Sequence, residues 1–97
     1  MSLRATPVSL SASLPGGGSV TVWVGVPDDP YIAKRDVTNV DLQLHEGSSV
    51  LASVTTVLDP SQESEAHALA HEVKAALESG EATPSAAALE PFADRLR

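Results

Sequence analysis

The sequence has no cysteine among its 97 residues, which excludes a disulfide staple and any thiolate metal site. It has only three aromatic residues, Trp23, Tyr31 and Phe92, so large rings cannot fill its core. Bases are scarce too: six Lys and Arg stand against thirteen Asp and Glu, a formal charge of −7. A field of that sign repels a phosphate backbone, and nucleic-acid binding draws on clustered Lys and Arg. Anionic membrane surfaces are disfavoured on the same ground. No apolar run nears the ~20 residues of a membrane-spanning helix, and no secretory leader pattern opens the chain. The expectation is a cytoplasmic chain that binds neither nucleic acid nor membrane; the lack of cysteine fits a reducing compartment.

What remains is an aliphatic core of Val, Leu and Ala. A chain of this length forms one domain and buries roughly 60–65% of the surface its unfolded form exposes. That suffices for folding with little surplus. Met1-Ser2-Leu3 is given no weight.

The first half reads with period two, the signature of strands. Val8, Leu10, Ala12 and Leu14 alternate with serines. Pro15 to Ser19 supply a glycine-rich hairpin loop. Val20, Val22, Val24 and Val26 form the next apolar face, with Thr21, Trp23 and Gly25 opposite. Val40, Leu42 and Leu44 follow, and Glu46-Gly47-Ser48 has turn chemistry. In the fourth run, Ser49 to Leu58, Val50, Ala52 and Val54 fall on one face and Leu51 and Val57 on the other. Such a two-faced strand is usually central or covered twice.

The period changes at Asp59. Asp59-Pro60-Ser61-Gln62 reads as cap, proline and capping box. Ala66, Leu69, Ala70, Val73, Ala76 and Leu77 then recur at helical spacing, and Gly80 is placed to stop the helix. Thr83-Pro84 repeats the cap-and-proline signal. Leu89, Phe92, Ala93 and Leu96 give a second apolar stripe, with Pro91 expected to kink or split that helix. The predicted architecture is ββββαα: an α+β fold with a four-stranded antiparallel sheet of two hairpins, then one long and one short helix packed on one side. A simple meander leaves the fourth strand at an edge. Its two-faced pattern suggests either another strand order or a second chain over it.

Motifs that carry chemistry are weak. His67 and His71, four apart on the predicted helix, match metal spacing, but the glutamate of a zincin helix is missing. They fall on the charged strip of Glu63, Lys74 and Glu78, which reads as a solvated face. Gly16-Gly17-Gly18-Ser19 lacks the lysine of a phosphate loop and reads as a turn. Asp28 and Asp29 are adjacent carboxylates between two prolines, a turn-forming context. No nucleophile elbow surrounds any serine. No cofactor and no metal are expected.

The segment Pro27–Asp36 is long for a connector and holds Tyr31, Lys34 and Arg35, residue types that binding sites favour. These, with Trp23, are the candidate binding residues. Leu51, Val57, Leu89, Phe92 and Leu96 are the candidate interface residues. Two functional readings follow. The first is a protein–protein interaction or assembly module whose partner is a second copy, in a homodimer, or another protein. The second is a small enzyme or ligand binder with a site near residues 27–36. A single-strand nucleic-acid binder, suggested by fold analogy alone, is opposed by the charge and the few aromatics.

Overall fold

A computed structural model of the chain describes residues 3, 6–27, 31, 33, 36 and 38–95. It has six elements, in the predicted order: β1 (Val8–Ser13), β2 (Ser19–Gly25), β3 (Asp41–Glu46), β4 (Ser49–Thr55), α1 (Glu63–Ser79) and α2 (Ala86–Asp94). The strands form one antiparallel sheet in the order β1-β2-β3-β4. The order is therefore the simple meander, and β4 lies at an edge despite its apolar content.

Each hairpin closes on glycine. Gly17 and Gly18 take positive φ in the first loop, and Gly47 has φ 60° in the two-residue turn Gly47-Ser48. A glycine at the first central position suits the mirror-image turns that match strand twist.

Alternation directs Val22, Val24, Leu42 and Leu44 to one face, where all are buried. The buried stripe of α1 is the predicted one: Ala66, Leu69, Ala70, Val73, Ala76 and Leu77. That helix packs on β1 and β2, while α2 packs on β4. Leu89 joins the same core cluster as Val22 and Leu77, so both helices lie on one face of the sheet. Leu3 is also buried there, and its N–H donates to the Pro60 carbonyl.

Both helix starts differ from the expected ones. Asp59 forms a separate turn: its Oδ1 accepts from the Ser61 N–H and hydroxyl, and its own N–H donates to Gln62 Oε1. The helix begins after it, at Glu63, with Gln62 as cap residue. One capping-box bond, from the Asp59 N–H to Gln62 Oε1, thus forms, but it closes a turn rather than opens the helix. Gly80 ends α1 in the left-handed conformation, its N–H donating to Leu77 O. In α2 the cap is Ser85, whose Oγ accepts from the Ala88 N–H, rather than Thr83. Pro91 lies inside α2 without splitting it. Its missing donor removes one bond in the middle of a nine-residue helix, and the carbonyl of Pro91 itself accepts from the Arg95 N–H.

The end of β4 is held by Thr56, the one buried polar side chain among the described residues. Its hydroxyl donates to Val40 O at 2.8 Å and accepts from Leu58 N at 3.1 Å. Asn39 Nδ2 donates to the Thr56 carbonyl. These bonds replace the regular ladder where β4 leaves the sheet. Thr56→Val keeps the shape but strands the Leu58 N–H. It is expected to cost about 1–3 kcal/mol and to lower Tm by roughly 4–8 °C for each kcal/mol. Thermal unfolding by circular dichroism checks this, with Thr56→Ser as the milder control that retains both bonds.

Candidate functional site

With both helices on one face, the other face of the sheet is open. The period-two pattern fills most of it with short polar side chains from β1, β2 and β3. Trp23 is the exception. No helix covers it, yet it is only partly exposed. Its indole stacks on the imidazole of His45 from the neighbouring strand, with centroids 5.6 Å apart and planes 24° from parallel. Its six-membered ring lies across Gly25. A Cβ built on Gly25 would come within 2.9 Å of Trp23 Cζ2 and 2.7 Å of Pro7 Cβ. Gly25 is thus needed because an aromatic ring occupies the space a side chain would take.

A run of donors along β3 continues from the stack. His45 Nε2 donates to Gln43 Oε1 at 2.7 Å, which assigns the proton to that nitrogen. Longer contacts of 3.4 Å run from Gln43 Nε2 and from Ser53 Oγ to one Asp41 carboxylate oxygen. Trp23, Gln43 and Asp41, with Val26, Pro27 and Val50, line an open depression of about 520 Å³.

Val50 belongs to that face because of a bulge. The register runs Leu44↔Ala52 and then His45↔Val50, so Leu51 is an extra residue on β4. The expected sharing of one face by Val50, Ala52 and Val54 therefore fails at Val50. Past the bulge the parity inverts, and Val50 stands opposite His45. Val50, Leu51 and Val57 are 56%, 42% and 41% exposed.

The two sheet edges differ. At β1, Lys74 Nζ donates to the Ser11 carbonyl at 2.8 Å, and Glu78 Oε2 accepts from the Ser13 N–H at 3.2 Å. Lys74 and Glu78 are themselves paired at 3.0 Å. Two residues one helical turn apart on α1 thus occupy outward backbone groups of β1. The Ser13 amide, and after it the Lys74 ammonium, holds the Glu78 carboxyl below its ordinary pKa. At β4 no side-chain cap of this kind is found among the described residues, and no residue from Gly47 to Leu58 is charged.

The remaining sequence candidates fall in separate places. Tyr31 is 94% exposed, while Asp28, Asp29, Lys34 and Arg35 lie outside the described residues. His67 and His71 are exposed on α1, and among the described residues no group of three or more ligand types is placed to hold a metal. Leu89 is buried within its own chain. Phe92 packs against the core beneath Arg95, whose guanidinium carbon is 4.9 Å from the ring centre and which pairs with Glu72 at 2.7 Å. Leu96 lies outside the described residues. The structure thus brings Trp23 together with Val50 rather than with Leu51 or Val57, leaves those two exposed at opposite ends of β4, and spends Leu89 and Phe92 of α2 on the core.

Sequence reasoning missed the bulge, the role of Gly25 and the clamp on β1. The i,i+4 spacing of Lys74 and Glu78 was visible, but their target on β1 is more than sixty residues away. No family model, curated protein or solved structure matches the chain.

Two outcomes follow from this geometry. Gly25→Ala is expected to destabilise the protein by about 1–3 kcal/mol through overpacking and to shift Trp23 emission to the red as the ring is pushed off the sheet; urea unfolding followed by fluorescence reads both. Glu78 is expected to titrate below free glutamate. Because its folded pKa is lowered, its bond to Ser13 is fully present above the ordinary value and is lost as pH falls through the lowered one. Carbon-detected NMR of the carboxyl checks this. In Lys74→Ala the midpoint should rise yet stay below that of free glutamate, since the Ser13 bond is the larger cause.

Proposed function

We infer that this protein is a small acidic protein–protein interaction and assembly module that works by associating through the open side of its sheet. The observation that carries the reading is the exposed apolar pair Val50 and Leu51 on the edge strand β4, with exposed Val57 just beyond its end. Edge strands in soluble proteins are normally blunted by charge, proline or cover, because free backbone groups recruit another strand. β4 has neither charge nor proline. A bulge at Leu51 blunts it in part. Trp23, which lines one depression with Val50, adds a residue type enriched in binding hot spots.

A ligand-binding reading is supported by a different observation, the depression over Trp23, His45, Gln43 and Asp41. It opens beside Pro27, where the long connector begins. Stacked rings with a nearby amide and carboxylate suit a flat polar molecule.

The mass in solution separates the two. The interaction reading expects light scattering to return more than the 10.0 kDa of one chain, with the mass falling on dilution. A strictly monomeric protein across the dilution series sinks it and leaves the depression as the better candidate.

A further inference from the structure

We propose that the groove between α1 and α2 docks a basic amphipathic helix of a partner protein, and that Arg95 marks the place of that helix's central arginine. The groove lies on the helical side of the molecule. The proposal therefore goes beyond the sheet-side reading above and does not depend on it.

The two helices stand behind different strands, α1 behind β1 and β2 and α2 behind β4. Phe92, half-buried, lies between them. It lines three adjoining depressions of about 560, 290 and 360 Å³. The first shares Glu72 and Arg95 with the second, and Ala76 and Pro91 with the third, so the three run on as one groove.

The wall supplied by α1 selects a helix. Glu65, Ala68, Glu72, Ala75 and Ser79 line it, alternately three and four residues apart. That is the interval at which one helix meets another packed along it. All five are exposed, so α1 carries a second stripe beside its buried one. The alanines are small enough to let a helix axis approach to about 8 Å. The stripe is about 21 Å long at 1.5 Å per residue, room for roughly four helical turns. On the facing wall Ala88, Pro91, Phe92 and Arg95 fall on one side of α2. An extended segment presents its side chains with period two and does not match these intervals.

Charge selects a basic helix. Among the described residues lining the groove, Glu65, Glu72 and Glu81 stand against Arg95. From Asp59 onward the chain has eight acids and three bases, so a second copy offering its own helices is repelled and a basic segment is attracted. Arg95 shows how a guanidinium sits here. Its carbon is 4.9 Å from the Phe92 ring centre, and it crosses to Glu72 on the other wall at 2.7 Å. The Arg95 and Glu72 side chains are 60% and 57% exposed. Such a pair contributes little to folding, so a partner's arginine can take the place of Arg95 on both Phe92 and Glu72. Glu65 in one outer depression and Glu81 in the other meet the flanking bases.

Fluorescence anisotropy of a dye-labelled synthetic peptide tests this on the full chain. The probe is a helix of about 16 residues with leucine along one seam and arginine on the flanking positions. One control peptide has the same residues reordered so that the apolar seam is lost. The other has glutamate for each arginine. The native chain should bind the probe about tenfold tighter than either control. Ala75→Arg puts bulk and a like charge into the groove and should weaken binding about tenfold. His71→Arg adds the same charge on the other exposed strip of α1 and should change binding by less than about twofold. Arg95→Gln should tighten binding, and by more than Lys74→Gln, which removes the same charge away from the groove. Circular dichroism checks the fold of each variant, and Ala68→Arg decides the matter if Ala75→Arg does not fold. A probe that does not bind overturns the proposal. So does a reordered peptide that binds as well as the probe, or equal weakening by Ala75→Arg and His71→Arg, since charge would then act without the groove. Arg95→Gln binding no tighter than Lys74→Gln overturns the part given to Arg95. None of these outcomes touches the mass in solution, on which the sheet-side reading stands or falls.

Discussion

A four-stranded sheet has two faces, and this chain makes helix enough for one. Strands spaced about 4.8 Å apart give a sheet roughly 19 Å across, and two helices about 10 Å wide span that width once. The buried residues Ala66, Leu69, Ala70, Val73 and Leu77 of α1 and Leu89 of α2 share one core with Val22 and Leu44. The composition of the other side follows from this shortage. It is built from serine, threonine, glutamine and histidine because it must face water. Trp23 is tolerated there only because Gly25, Pro7 and His45 surround its ring.

The same shortage bears on the edges. A meander has two free strands, and one helix can reach round only one of them. α1 packs on β1 and β2, close enough for a lysine and a glutamate one turn apart to occupy the β1 backbone. α2 lies against β4, but α2 is nine residues long and its first and last turns carry no base. Its buried positions, Leu89 and Ala93, go to the core. Protection of the sheet is therefore uneven for a geometric reason, the length and placement of the helix behind each edge.

Element order and core were legible in the sequence because each rests on a repeating pattern. Four period-two runs gave four strands, and all six predicted apolar positions of α1 are buried. What escaped reading depends on single residues whose partners are distant. The bulge at Leu51 inverts the facing of Val50, and nothing in Ser49–Thr55 marks which residue is extra. Asp59 has the cap signal and makes its bonds, but the backbone turns once more before α1 begins. Ser85 caps α2 although Thr83-Pro84 carries the stronger local pattern. Gly25 looks like an ordinary outward position until the ring of Trp23 is seen across it. The candidate site divides along the same line. Trp23, Leu51 and Val57 were legible as apolar residues out of place, whereas His45, Gln43 and the Lys74–Glu78 pair acquire meaning only from the strands they meet.

Charge is distributed along the same division of labour. From Asp59 onward there are eight acids and three bases, so the helical half carries most of the net charge. From Thr6 to Pro27 and again from Gly47 to Leu58 there is none. Two copies approaching helix to helix repel within a screening length of about 8–10 Å, and the β4 edge shares in this field because Glu90 and Asp94 line a depression with Ser53, Val54 and Thr55. The β1 edge meets the paired Lys74 and Glu78 instead. Hydrogen bonding adds a second distinction, and it saturates: a carbonyl held by Lys74 and an amide held by Glu78 are lost to an incoming strand. An ion pair on the helix surface is a weak stabiliser, but here its two members also meet backbone groups that an incoming strand would otherwise use. Their value is therefore better judged by which contacts they exclude than by what they add to folding.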